Sequence, residues 1–71
     1  MINVCLLRSK IVLHDDTNDE LASALGIHRA TFYKKLNGNS EFVASEIIAI
    51  KERYNLTAQE VQDIFFANEV S

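Results

Sequence analysis

Residues 17–38 read T-N-D-E-L-A-S-A-L-G-I-H-R-A-T-F-Y-K-K-L-N-G, and this stretch decides the fold. Thr17 stands three residues ahead of Glu20. At that spacing a threonine hydroxyl caps the Glu20 amide while the Glu20 carboxylate reaches back to Thr17. Asp19 and Glu20 also suit the positive end of a helix dipole. Leu21 and Leu25 lie one turn apart and face inward with Ala22. Gly26 stops this helix, because glycine enters the left-handed conformation without steric cost. A second helix follows at once. Ile27 leads into it and His28 takes the N-cap position, although histidine is not a preferred cap. Phe32 and Leu36 are again one turn apart. Asn37-Gly38 ends the helix, and Asn39-Ser40 continues the turn. Ala22 is small where the two helices must approach. Leu21, Leu25, Ile27, Phe32 and Leu36 form a shared apolar wedge. In such a helix-turn-helix, the second helix stands proud of the body and can enter a major groove.

Working outward, the same periodicity predicts three more helices. The first runs from about Asn3 to Leu13, with Val4, Leu7 and Ile11 on one face. Leu6, Val12 and Leu13 make it apolar on more than one side. The fourth runs from about Ala44 to Tyr54, with Ile47, Ile48 and Ile50 as its apolar face, Phe42 leading in and Asn55 as a left-handed stop. The fifth starts at Thr57, again in capping-box spacing with Glu60. Val61, Ile64 and Phe65 make its stripe, and Phe66 extends it. Phe65 and Phe66 are adjacent, so local packing and an interface with another chain both fit them. The last few residues are expected to fray. There is no proline, and Gly26 and Gly38 are the only glycines. The expectation is an all-α, compact bundle of about five short helices, one domain over residues 1–71, with the central motif at 17–38.

At 71 residues the chain suits one domain with a small core. Cys5 is the sole cysteine, which excludes an intrachain disulfide and a cysteine-cluster metal site. His14 and His28 show no zinc spacing. No nucleophile has a base at a recognisable spacing, and there is no glycine-rich phosphate loop. No catalytic residue, cofactor or metal is therefore expected, and no enzymatic activity. The apolar run before Arg8 is too short to span a membrane, and no small-residue cleavage site follows it. A cytoplasmic, reducing location is expected.

The net charge is −3, which taken alone argues against nucleic acid. Its distribution matters more. Asp15, Asp16, Asp19 and Glu20 cluster in what reads as a solvated loop and helix start. Glu41, Glu46, Glu52, Glu60, Asp63 and Glu69 outweigh Lys51 and Arg53 in the second half. Between His28 and Gly38 stand Arg29, Lys34 and Lys35 with no acid among them. A basic segment on an acidic body is compatible with a phosphate-facing surface.

Residues 17–38 resemble the helix-turn-helix of the Cro/repressor-like (lambda-repressor-like, XRE-type) family of phage and bacterial regulators. The later stretch S-E-F-V-A-S-E-I-I-A-I-K-E-R-Y-N-L-T-A-Q-E-V, residues 40–61, is similar to helices four and five of small phage-encoded members. The resemblance covers about residues 4 to 66. It implies that the second helix of the pair is the recognition helix, with Arg29, Ala30, Tyr33, Lys34 and Asn37 outward. Arg29, Tyr33 and Asn37 recur every four residues and share one stripe. Arg29 would read guanine with two bonds, and Asn37 would meet a base or a phosphate. Lys34 and Lys35 suit phosphates. Asn18 matches a position at which the family sets a polar side chain on the DNA backbone. His28, at the turn, completes the candidate contact set. The chain departs from the family pattern at His28, where a small hydroxyl cap is usual, at the large Tyr33, and at Val43, where a capping Thr or Ser is common.

Two functions fit this scaffold. One is a sequence-specific transcriptional regulator of a phage-type lysogeny switch. It would bind a double-stranded operator through the major groove, as a homodimer because one small module makes few contacts. The other is an antirepressor that binds a cognate phage repressor and blocks its DNA-binding face. An acidic body complements such a face, and Tyr33 and Phe66 would act as anchors.

Overall fold

The computed structural model describes residues 2–67. Among them the chain forms five α-helices and no strand: α1 (Val4–Leu13), α2 (Asn18–Leu25), α3 (Arg29–Leu36), α4 (Ala44–Arg53) and α5 (Ala58–Phe65). None is long and apolar enough to cross a membrane. The expectation for the last few residues, and Glu69 with it, lies outside the described residues.

Local side-chain chemistry sets the helix ends. Asn3 Oδ1 accepts from the Leu6 amide at 3.1 Å and opens α1. Thr17 Oγ1 accepts from the Glu20 amide at 3.1 Å and opens α2. That cap is one-sided: the return bond from Glu20 is not made among the described residues. At Thr57 and Glu60 both bonds form, at 3.1 and 2.9 Å. Gly26 adopts φ +74° and lets the chain turn from α2 into α3 through residues 26–28. Asn55 takes the left-handed conformation expected of it, at φ +52°, just past the end of α4. Asp15 does the same after α1, at φ +55°. Both are short polar residues, which tolerate this region better than other side chains.

Leu7 and Ile11 of α1, Leu21 and Ala22 of α2, Phe32 and Leu36 of α3, Ile50 and Tyr54 of α4, Leu56, and Ile64 and Phe65 of α5 form the core. Leu25, Ile27, Phe42, Ile47, Val61 and Phe66 pack on its margin. Phe65 therefore enters the interior, and Phe66 is half-buried against its edge. Three aromatic rings meet edge to face, from the core out to Phe42 on its margin and back. Phe32 meets Phe42 at 6.0 Å, and Phe42 meets Phe65 at 5.5 Å. Helix α1 lies on α5, α2 on both α3 and α4, and α4 on α5.

Besides the one-sided cap at Thr17, two expectations about burial change here. Ile48 does not belong to the inner face of α4: it is 54% exposed, because Ile47 and Ile50 already occupy the arc that meets the core. The acids at 15–20 are not uniformly solvated either. Asp16 is nearly enclosed and accepts hydrogen bonds from Arg53 Nε at 2.8 Å, Arg53 Nη2 at 3.1 Å and the Tyr54 hydroxyl at 2.6 Å. This cluster ties the start of α2 to the end of α4, and His14 stacks on the Tyr54 ring at 5.0 Å.

The Arg53 hydrogen bonds hold the Asp16 carboxyl well below the usual carboxylate range, against the opposing effect of burial. Burial, and then the bond to Asp16, push the Tyr54 hydroxyl up. A carboxylate depressed in the folded state stabilises the fold above its unfolded value, 3.8, and this stabilisation is lost as pH falls through the lower folded value. Asp16→Asn should therefore lower stability at pH 7 by about 1–3 kcal/mol, the loss of hydrogen bonds to a charged acceptor. It should also flatten the fall in stability below about pH 4. Urea denaturation of both proteins at pH 7 and pH 3 checks this; an equally steep acid limb in the variant contradicts the assignment.

Candidate nucleic-acid interface

Helix α3 has a hidden face and an open one. Phe32 is fully buried and Leu36 nearly so. With period 3.6, these anchors turn residues 30, 33, 34 and 37 away from the core, whereas Arg29, three residues before Phe32, is exposed because it opens the helix and no earlier turn of α3 covers it. Arg29, Ala30, Tyr33, Lys34 and Asn37 are all exposed, as is His28 at the N-cap. Tyr33, at 41% exposed, keeps its ring edge-on to Phe32, 6.1 Å away, while its hydroxyl reaches outward. Thr31 is half-buried on the flank. His28 makes no side-chain cap bond, so its imidazole is not committed to holding the helix. The eight residues of α3 span about 12 Å at 1.5 Å per residue, a length that lies readily in a major groove.

Neighbouring side chains cross from α2 to this face. Asn18, the first residue of α2, donates from Nδ2 to the Tyr33 hydroxyl at 3.3 Å. Asp19, next to it, accepts from Arg29 Nη1 at 3.2 Å. Asn18, Arg29 and Tyr33 are thus brought together at one end of the pair, with Lys34 beside them and Asn37 at the far end of α3. Both partners of the Asp19–Arg29 pair are largely in water, where such a bridge is worth about 0–1 kcal/mol. The sequence reading missed Asp19 as the partner of Arg29. Its place in the first turn of α2, facing a cation at the start of α3, was the available signal.

Lys35 is the clear correction to the candidate set. It is 8% exposed and directed inward. Its ammonium donates to Glu46 Oε1 at 2.6 Å and to the Glu41 carbonyl at 3.3 Å, and lies 5.8 Å from the centroid of the Phe42 ring. Lys35 follows Phe32 by three residues, on the same side of the helix, so its aliphatic stem joins the core and its charge is consumed within the fold. Glu46 Oε1 also accepts from the Val43 amide at 3.0 Å. Glu46 thereby supplies the α4 start that the Val43 side chain cannot cap. The outward cations of α3 are Arg29, paired with Asp19, and Lys34, which has no acidic partner among the described residues.

Comparison with protein-family models, curated proteins and solved structures found no match for this chain.

Breaking a buried ion pair leaves a charge with no compensation. Lys35→Ala should cost about 3–5 kcal/mol on that account. Lys34→Ala, on the exposed side of the same helix, should stay within about 0.5 kcal/mol. The double variant Lys35→Met/Glu46→Leu should regain part of the loss, because apolar replacement of both partners removes the unpaired charge, and fall short of the parent by about 0.5–2 kcal/mol because the Val43 amide loses its acceptor. Thermal denaturation of the three variants reads this out, and equal losses at positions 34 and 35 would disprove the buried role of Lys35.

Proposed function

We propose that the protein is a sequence-specific DNA-binding regulator of the Cro/repressor-like kind that inserts α3 into the major groove of an operator. The observation that carries this reading is the free outward face of α3, with Arg29, Ala30, Tyr33, Lys34 and Asn37 exposed while Phe32 and Leu36 fix the helix from behind. Arg29 is the base reader, since a guanidinium meets guanine O6 and N7 with two bonds. Lys34 neutralises phosphate. Asn18 at the α2 start, Asn37 and His28 contact the backbone or base edges at the two ends of α3. Tyr33 offers a hydroxyl and an apolar ring edge between them. With so few uncommitted cations, one module binds weakly, so the active form is a homodimer on a two-fold operator. The acidic body keeps attraction to bulk DNA low. The setting that the sequence resemblance suggests is a phage-type genetic switch in a bacterial host.

One observation favours the second reading, an antirepressor. Lys35 is spent inside the fold, and Arg29 is paired, so α3 is less basic than its sequence. Exposed Asp15, Glu20, Glu41, Glu52 and Asp63 have no basic partner among the described residues, and would complement a repressor's basic face. Of the two expected anchors, Tyr33 stays exposed, whereas Phe66 is half-buried against the core.

Selection of duplexes from a randomised pool, followed by salt titration on the winners, separates the two. A regulator enriches a sequence and binds it with an affinity that falls steeply with salt. Lys34→Ala should weaken binding to all duplexes alike and reduce the salt slope by about 0.9, one phosphate contact. Arg29→Ala should relax preference at one base pair by about 1–3 kcal/mol. Failure to enrich any sequence, together with release of DNA from a helix-turn-helix repressor, would replace this reading with the second.

A further inference from the structure

We propose that Asp19 is a positioning residue for Arg29: it orients the guanidinium toward a neutral base edge while cancelling its pull on phosphate, and so sets the selectivity of the α3 face. The inference rests on the DNA-binding reading above.

The geometry is specific. Asp19 Oδ2 takes a single bond from Arg29 Nη1, at 3.2 Å. The remaining guanidinium donors are free, including the second arm of the fork, so Arg29 can address two acceptors without leaving Asp19. The adjacent Asn18 makes a parallel bond to Tyr33, one turn along the Arg29–Tyr33–Asn37 stripe. Two consecutive residues of α2 therefore brace two consecutive members of the reading face. A long side chain that is 66% exposed would otherwise sample many rotamers, and ordering it on binding would weaken the contact.

The charge balance gives the selectivity. Phosphate is anionic, and its attraction to the face scales with uncompensated positive charge. A guanine edge is neutral, and it binds through the direction of its two acceptors. An Arg–Asp pair carries no net charge but keeps directed donors. It retains the guanine contact and loses most of the phosphate one. Arg29 without Asp19 gains affinity for any duplex and discriminates less.

The test uses the full chain, a random-sequence duplex and a duplex enriched from a randomised pool by the wild-type protein. Asp19→Asn should raise affinity for the random duplex about threefold or more in 50 mM salt and steepen its salt slope by about 0.9. The ratio of enriched to random affinity should fall. In an Arg29→Ala background, Asp19→Asn should leave that ratio unchanged, because no guanidinium remains to be oriented. An unchanged or increased ratio in the single variant, or the same fall with Arg29 absent, overturns the role of Asp19 while leaving DNA binding intact. If the wild-type protein binds neither duplex at low salt, the DNA reading itself fails and this inference fails with it. Asp19 is exposed and outside the core, so circular dichroism of the variant should match the parent.

Discussion

The insertion of Phe32 into the bundle is the contact from which the remaining geometry follows. Its ring meets Phe42 edge to face, and Phe42 in turn meets Phe65 of α5. A helix of eight residues is too short to hold its own shape in water. It is held by what it buries. Phe32 fixes the rotation of α3 about its axis, and Leu36 one turn on fixes its tilt. Every outward position is then decided. Tyr33, Lys34 and Asn37 lie outward because Phe32 cannot face any other way, and Arg29 joins Tyr33 and Asn37 in one stripe by their spacing of four.

The Lys35–Glu46 pair adds a second constraint at the same end of the helix. It joins α3 to the first turn of α4 across a loop that carries Gly38 and Ser40. Buried pairs of this kind contribute little net stability compared with an apolar substitute. Their directionality is greater, since misplacement by an ångström exposes an unsatisfied charge. The apolar contacts hold the reading helix in, and this pair, together with the bond from Glu46 to the Val43 amide, sets the path of the chain as it leaves. The Asp16 cluster does comparable work on the opposite side, where one carboxylate serves Arg53 and Tyr54 together.

The elements written in local sequence were legible. Thr17, Gly26, Asn55, Thr57 and Glu60 act on neighbours within a few positions, and the structure uses each at the predicted helix end. The inward set of Leu7, Ile11, Leu21, Phe32, Leu36, Ile50 and Ile64 followed from period alone. Apart from Asp19 and Arg29, the pairing of charges was not legible, because it is decided between distant segments. Arg53 lies 37 residues from Asp16, and no spacing rule links them. Lys35 is the instructive case. Sequence order sets it in a basic segment, but its position three residues after Phe32 places it on the inward flank. Composition counted its charge, whereas the helix wheel would have counted its direction. Tyr33, Lys34 and Asn37 lie outward for the same geometric reason, whereas Arg29, also three residues from Phe32, owes its exposure to its place at the open end of α3.

Helix α1 carries a different lesson. Leu7 and Ile11 face the core, yet Leu6, Val12 and Leu13 line its far side, the last two more than two-thirds exposed. In hydropathy alone, one seam of the cylinder differs little from the other. Hydrophobicity alone leaves this choice nearly degenerate. Lys10 reaches Glu60 of α5, and the Asn3 amide donates to the Ile64 carbonyl. The roll of α1 is thus singled out where packing and polarity coincide: the seam that buries Leu7 and Ile11 is also the one that lets Lys10 and Asn3 reach α5.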